Sequence, residues 1–146
     1  MARSGFFAPP KLSRFKVEQT ILDKYLPGFR IGSVTARGML TSNSGQAYAV
    51  RLDLPGFPTR MPEAFITSPV LVMANGQMLN LAGGSHAMHV LGCDGEGNPR
   101  ICHWHEDAWT PSHTLYQVLI KVRIWLEAWE AHLRTGLPVS RWLPTV

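Results

Sequence analysis

Tyr48-Ala49-Val50-Arg51-Leu52-Asp53-Leu54, followed by Pro55-Gly56-Phe57-Pro58 and Met61-Pro62, is the stretch on which the fold turns. Its large apolar residues fall on every second position, the period of a strand with one buried face. Each proline after it fixes its own φ and restrains its predecessor to extended geometry, so an irregular, rigid crossing must follow the strand. Upstream, residues 29–40 carry Ile31, Val34 and Met39 between glycines, and Thr41-Ser42-Asn43-Ser44-Gly45 reads as a loop. Downstream, residues 64–67 and 70–74 resume strand character, and Asn75-Gly76 before Met78-Leu79 is a strong hairpin signal. The pattern predicts an antiparallel meander.

Helices bracket it. Residues 11–26 place Leu12, Phe15, Leu22 and Leu26 at three- and four-residue steps, stopped by Pro27-Gly28. Near the other end, Thr110 is predicted to cap a helix with Pro111 in its first turn. Leu115, Val118, Leu119, Val122, Leu126, Trp129 and Leu133 then form one apolar stripe. That helix should run to Thr135, where Gly136 supplies a left-handed terminator and Pro138 forbids continuation. Residues 82–99 are rich in glycine and are predicted to be mostly loop. The tail, residues 137–146 with Trp142 and Leu143, is expected to pack on its own domain.

The chain has 146 residues, 45% hydrophobic and 16% charged, which suits one compact domain with a lead-in over about residues 1–10. Disorder needs few hydrophobics and a high net charge, so a disordered adaptor is excluded. The net charge of +4 is spread along the chain and does not demand nucleic acid. Trp109, Trp125 and Trp129 read as packing residues rather than a base-stacking platform. No run approaches the ~18 apolar residues of a membrane span, and the N-terminus lacks the ~7–15-residue apolar stretch of a secretory signal. A soluble, cytoplasmic protein is expected. In that reducing setting Cys93 and Cys102 are free thiols, metal ligands or a nucleophile rather than a structural disulfide.

The segment from Arg100 to Pro111, RICHWHEDAWTP, concentrates thiol, imidazole, carboxylate and indole. A cysteine reacts as its thiolate, and Arg100, His103 and His105 are candidate donors or cations to lower the Cys102 pKa. Two other readings stand beside this one. Cys102 can be a buried, inert thiol beside Trp104, or His89, Cys93, Cys102 and His105 can be four zinc ligands at an irregular spacing. There is no nucleophile-elbow serine and no phosphate-binding glycine loop, and no cofactor is indicated.

The order of these features resembles the ubiquitin-conjugating enzymes. In that family an N-terminal helix precedes a four-stranded antiparallel meander, a proline-rich crossing follows, and a glycine-containing loop delivers Ile-Cys. An Asp-x-Trp-Ser-Pro motif then leads into a long apolar helix. Phe57-Pro58, Met61-Pro62, Ile101-Cys102 and Asp107-Ala108-Trp109-Thr110-Pro111 look like those parts and cover most of the chain. The family's His-Pro-Asn is missing as a tripeptide; His89-Val90-Leu91 stands in its place, and Asn98 is a candidate substitute for the lost Asn. The interval from Pro62 to Cys102 is also longer than in eukaryotic members, which makes this look like a bacterial relative, similar to those of anti-phage cyclic-oligonucleotide signalling or ubiquitin-like modification operons.

The resemblance implies that Cys102 accepts the C-terminal glycyl group of a partner protein as a thioester and passes it to an amine. It implies roles for His103, His105 and loop amides at the oxyanion, for Asp107 in orienting an amine or a histidine, and for His89 at the family's His position. The implied partners are a donor protein, either a nucleotidyltransferase or a ubiquitin-like protein, and a separate activating enzyme, with neither membrane nor nucleic acid. An inactive binding module of the same fold and a zinc-stabilised interaction domain are the alternatives.

Overall fold

The computed structural model of the chain describes residues 10–143 and shows an α+β fold: a helix, a six-stranded antiparallel sheet and a long final helix. Helix α1 (Pro10–Tyr25) buries Leu22 and packs Phe15 partly against the core, and the chain leaves it through Gly28 at φ 104°. The expected place of Leu12 in its stripe, and residues 1–9 of the lead-in, lie outside the described residues. No described helix is long and apolar enough to cross a membrane.

Strands β1 (Arg30–Ile31), β2 (Thr35–Thr41), β3 (Ala47–Asp53) and β4 (Glu63–Ser68) form the expected meander. Tyr48, Val50 and Leu52 of β3 share the core face with Ala36 and Leu40 of β2 and Ala64 and Ile66 of β4, all buried. Upstream of β3 the apolar positions differ from expectation: Val34 and Met39 are more than half exposed, and Phe29 is the residue that enters the core. Its ring lies against Gly38, where an added Cβ would stand 2.5 Å from the ring carbon Cγ.

The sheet has six strands where four are expected. Residues 82–99 are mostly turn and loop, as expected, but after the one-turn helix α2 (Leu79–Ala82) they also supply β5 (Val90–Cys93) and the start of β6 (Pro99–Ile101), giving the order β1-β2-β3-β4-β6-β5. Of the glycines there, Gly95 and Gly97 lie in the turn between these strands, Gly92 lies within β5, and Gly83 and Gly84 precede it. Asn75-Gly76 does make a tight turn, closed by the Gly76 amide on the Met73 carbonyl at 2.9 Å, but its flanks form only a Val72–Met78 bridge outside the sheet. The segment is instead held by the end of the last helix, where His132 Nε2 accepts from the Ala74 amide at 3.1 Å.

Helix α3 (Leu115–Thr135) shares one buried core with the sheet. It starts one turn later than predicted. Thr114, not Thr110, is the cap, in a reciprocal box with Gln117. Buried Glu18 of α1 accepts the Leu115 amide at 2.8 Å and is itself bonded by Arg14, which also donates to the Pro111 and His113 carbonyls at 2.6 Å each. The helix ends as expected at Gly136, φ 76°. The predicted stripe is buried except for Leu133, which is exposed; Trp125 joins it and stacks on Trp129 at 5.6 Å. The tail returns to the domain, with Val139 fully buried, the Ser140 amide on the Ala87 carbonyl and Leu143 against the core.

The contact beneath Gly38 sets the fit of β2. Gly38→Ala is expected to destabilise by about 1–3 kcal/mol through overpacking against Phe29, whereas Gly95→Ala, which meets nothing within 4 Å, stays within about 0.5 kcal/mol. Urea denaturation of the two variants checks the contrast.

Candidate functional site

The β5–β6 hairpin delivers Cys102, and its tip is built around Asp94. Asp94 Oδ1 accepts the amides of Glu96 and Asn98 at 2.9 Å each; Oδ2 accepts Asn98 Nδ2 at 3.0 Å and Arg51 Nη2 at 2.9 Å. Arg51 is clamped beneath by Asp53 and by the face of Phe65, 4.3 Å from its guanidinium. Burial pushes the Asp94 carboxyl up, but the bonds from Asn98, Arg51 and the Glu96 amide outweigh it and hold the group well below the usual carboxylate range. Asn98 is therefore spent on the turn at the far end of the hairpin, four residues before Cys102, and is not an oxyanion donor.

At the other end, the Cys102 amide donates to the His89 carbonyl at 2.8 Å. His89 is the one non-glycine with positive φ among the described residues, 52°, and its ring is buried against His86 with centroids 5.3 Å apart. Trp125 fixes the same loop from below, its indole N–H donating to the Met88 carbonyl at 2.9 Å. Cys102 itself is half-buried between two depressions. One, of about 430 Å³, is open and lined by Gly84, Ser85, His86, His89, Leu91 and His105; the other, of about 80 Å³, is lined by His89, His103, Lys121, Ile124, Trp125 and Leu143.

These surroundings correct the expected electrostatics. Burial pushes the Cys102 thiol up. Arg100 pairs with Glu63 and lines a separate groove. His103 is buried with Nδ1 3.2 Å from the Ile101 carbonyl, and burial drives its pKa down despite the carbonyls beside it, so it is uncharged at neutral pH. Nδ1–H is thereby the donor to Ile101, and Nε2 has no partner among the described residues. His89 is likewise lowered, by burial first and by His86 second.

His105 lines the open depression with Cys102, and its Nδ1 accepts the Asp107 amide at 3.2 Å. The Asp107 carboxylate is nearly fully exposed, 3.7 Å from that nitrogen, and neither depression it borders includes Cys102. It therefore reaches the thiol only through His105, and it does not cap α3. Beyond it, Trp109 donates to the Pro58 carbonyl at 2.9 Å and packs with Trp104 and His113. This binds the loop after Cys102 to the proline-rich crossing.

Of the residues singled out in the sequence, Cys102, His89 and His105 meet at one depression, and His103 joins Cys102 at the other. Cys93 is exposed on β5 opposite Pro99. Among the described residues no three His, Cys, Asp or Glu side chains converge closely enough to hold a metal ion, so the four-ligand zinc arrangement is not assembled. His86 and Lys121 were missed. His86 precedes His89 by three residues, a signal available in the sequence; Lys121 lies on the partly exposed flank of α3, and only the packing of that helix brings it to the cysteine.

Two outcomes follow from this geometry. A carboxyl held low in the folded state stabilises fully above the ordinary carboxylate value and loses its effect as pH falls. Asp94→Asn is therefore expected to cost about 1–3 kcal/mol at neutral pH, and the gap to wild type should begin to narrow below about pH 4 and continue to shrink as pH falls towards the depressed folded-state pKa, as read by denaturation across pH. Iodoacetamide at neutral pH should alkylate exposed Cys93 before half-buried Cys102, as read by peptide mass mapping.

Comparison of the chain with family models, with curated proteins and with solved structures finds no match.

Proposed function

We propose that this chain is an acyl carrier of the ubiquitin-conjugating kind: Cys102 takes the C-terminal glycyl group of a partner protein as a thioester and hands it to an amine, in the setting of bacterial anti-phage defence. What carries the reading is the position of the thiol. Cys102 sits where β6 runs out and the loop to α3 begins, half-buried, with an open, imidazole-lined depression on one side. The proline-rich crossing before it and the Asp107-Ala108-Trp109 turn after it are joined through the Trp109–Pro58 hydrogen bond. The donor protein and a separate activating enzyme are partners of this proposal.

The chemistry divides among the surrounding groups. A thiol raised by burial rests protonated. That suits a carrier which must not react with bulk electrophiles, but it requires proton removal at the moment of transfer. His89, uncharged at neutral pH and lining both depressions, is the acceptor the reading assigns. The developing oxyanion needs donors. The Cys102 amide and His103 Nδ1 are already committed to the His89 and Ile101 carbonyls. His105, whose Nδ1 accepts the Asp107 amide and whose Nε2 is then the N–H of its uncharged form, is the side-chain donor the reading assigns, beside the amides of the loop after Cys102.

A second reading, an inactive binding module of the same kind, is favoured by the raised thiol and by the use of Asn98 in the hairpin turn. Intact mass of the chain co-expressed with its genomic neighbours separates the two. A thiol-labile adduct on wild type that is absent from Cys102→Ala is expected, and its mass names the donor. Its absence in both proteins favours the binding module.

A further inference from the structure

The chain has four lysines, at positions 11, 16, 24 and 121. Three belong to α1, and Lys121 stands alone on the flank of α3, where it lines the small depression beside Cys102. It also borders a second, open depression walled by Trp104, His105 and His113. Its Nζ rests 5.2 Å from the centre of the Trp104 ring, and no carboxylate pairs with it among the described residues. Ile124, one turn along and 46% exposed, lines the small depression with it. The ammonium thus sits on a flexible stem at the wall of the cavity it shares with the thiol, with one weak ring contact to leave; the exposed Asp107 carboxylate borders the second depression and not the one that holds Cys102. It does not serve to ionise the thiol, which burial alone shifts upward.

We propose that Lys121 is an internal amine acceptor, so that a chain loaded at Cys102 modifies itself there. The inference rests on the acyl-carrier reading of Cys102. The ammonium first gives one proton to solvent water, and the uncharged Nζ attacks the thioester carbonyl carbon; the N–C bond forms, the C–Sγ bond breaks with its electron pair returning to sulfur, and the amine's second proton goes to the departing thiolate. No oxidant or other co-reactant is consumed. Holding both groups on one cavity wall makes the step unimolecular. The product is a carrier whose cavity is closed by its own cargo, and transfer to outside amines then stops.

The test uses the full chain and a short glycine-ending peptide supplied as its 2-mercaptoethanesulfonate thioester. Wild type should gain first a hydroxylamine-labile adduct at Cys102 and then a stable one at Lys121, which tryptic mapping reads as a missed cleavage. Lys121→Arg, an exposed and charge-conserving change, should keep the labile adduct and lose the stable one; Cys102→Ala should show neither. Three outcomes overturn the proposal while leaving the carrier reading intact: an equal stable adduct in Lys121→Arg, a stable adduct confined to the lysines of α1, or acylation of Lys121 in Cys102→Ala. A chain that never forms the labile adduct overturns both.

Discussion

Trp125 is the side chain on which the arrangement around Cys102 depends. It lies wholly inside the core, stacked on Trp129, and its indole N–H is given to the Met88 carbonyl of the loop before β5. A buried indole without a partner would cost about 1–3 kcal/mol, so the long helix and that loop are fixed to each other. The loop in turn offers the His89 carbonyl to Cys102 and the Ala87 carbonyl to Ser140 of the returning tail. Sheet, helix and tail therefore meet on six residues, and the thiol's position is a consequence of core packing rather than of its own neighbours in the chain.

Burial, not charge, governs the thiol. The cations that sit near it in sequence are neutralised or diverted: His103 by desolvation, Arg100 by Glu63. The strongest electrostatic work is done away from it, where Arg51 ties β3 to the hairpin tip through Asp94. The fold spends its charge on holding the hairpin and leaves the cysteine a quiet environment edged by neutral imidazoles.

Much of the architecture was legible where periodicity was long. The stripe from Leu115 to Trp129 and the stop at Gly136 need only local rules. The helix start did not, because Thr110 and Thr114 both look like caps, and what decides between them is Glu18, 97 residues away, waiting for the Leu115 amide. The β5–β6 hairpin was hidden for the same reason. Its strands have four and three residues, and the group that tightens its turn, Arg51, lies 43 residues upstream. At the site, Cys102, His89 and His105 could be named from residue chemistry. Lys121 could not, since nothing local says which face of α3 meets the loop.

Position 89 shows where the demands on this chain diverge. The backbone there is left-handed, φ 52°, a conformation that costs a side-chain-bearing residue roughly 1–2 kcal/mol. Eight glycines elsewhere among the described residues adopt positive φ without that penalty. Selection for folding alone would place a ninth at residue 89 and keep the carbonyl that receives the Cys102 amide. This chain carries an imidazole there instead, so the strain at residue 89 sits beside the one side chain that lines both cavities of the thiol.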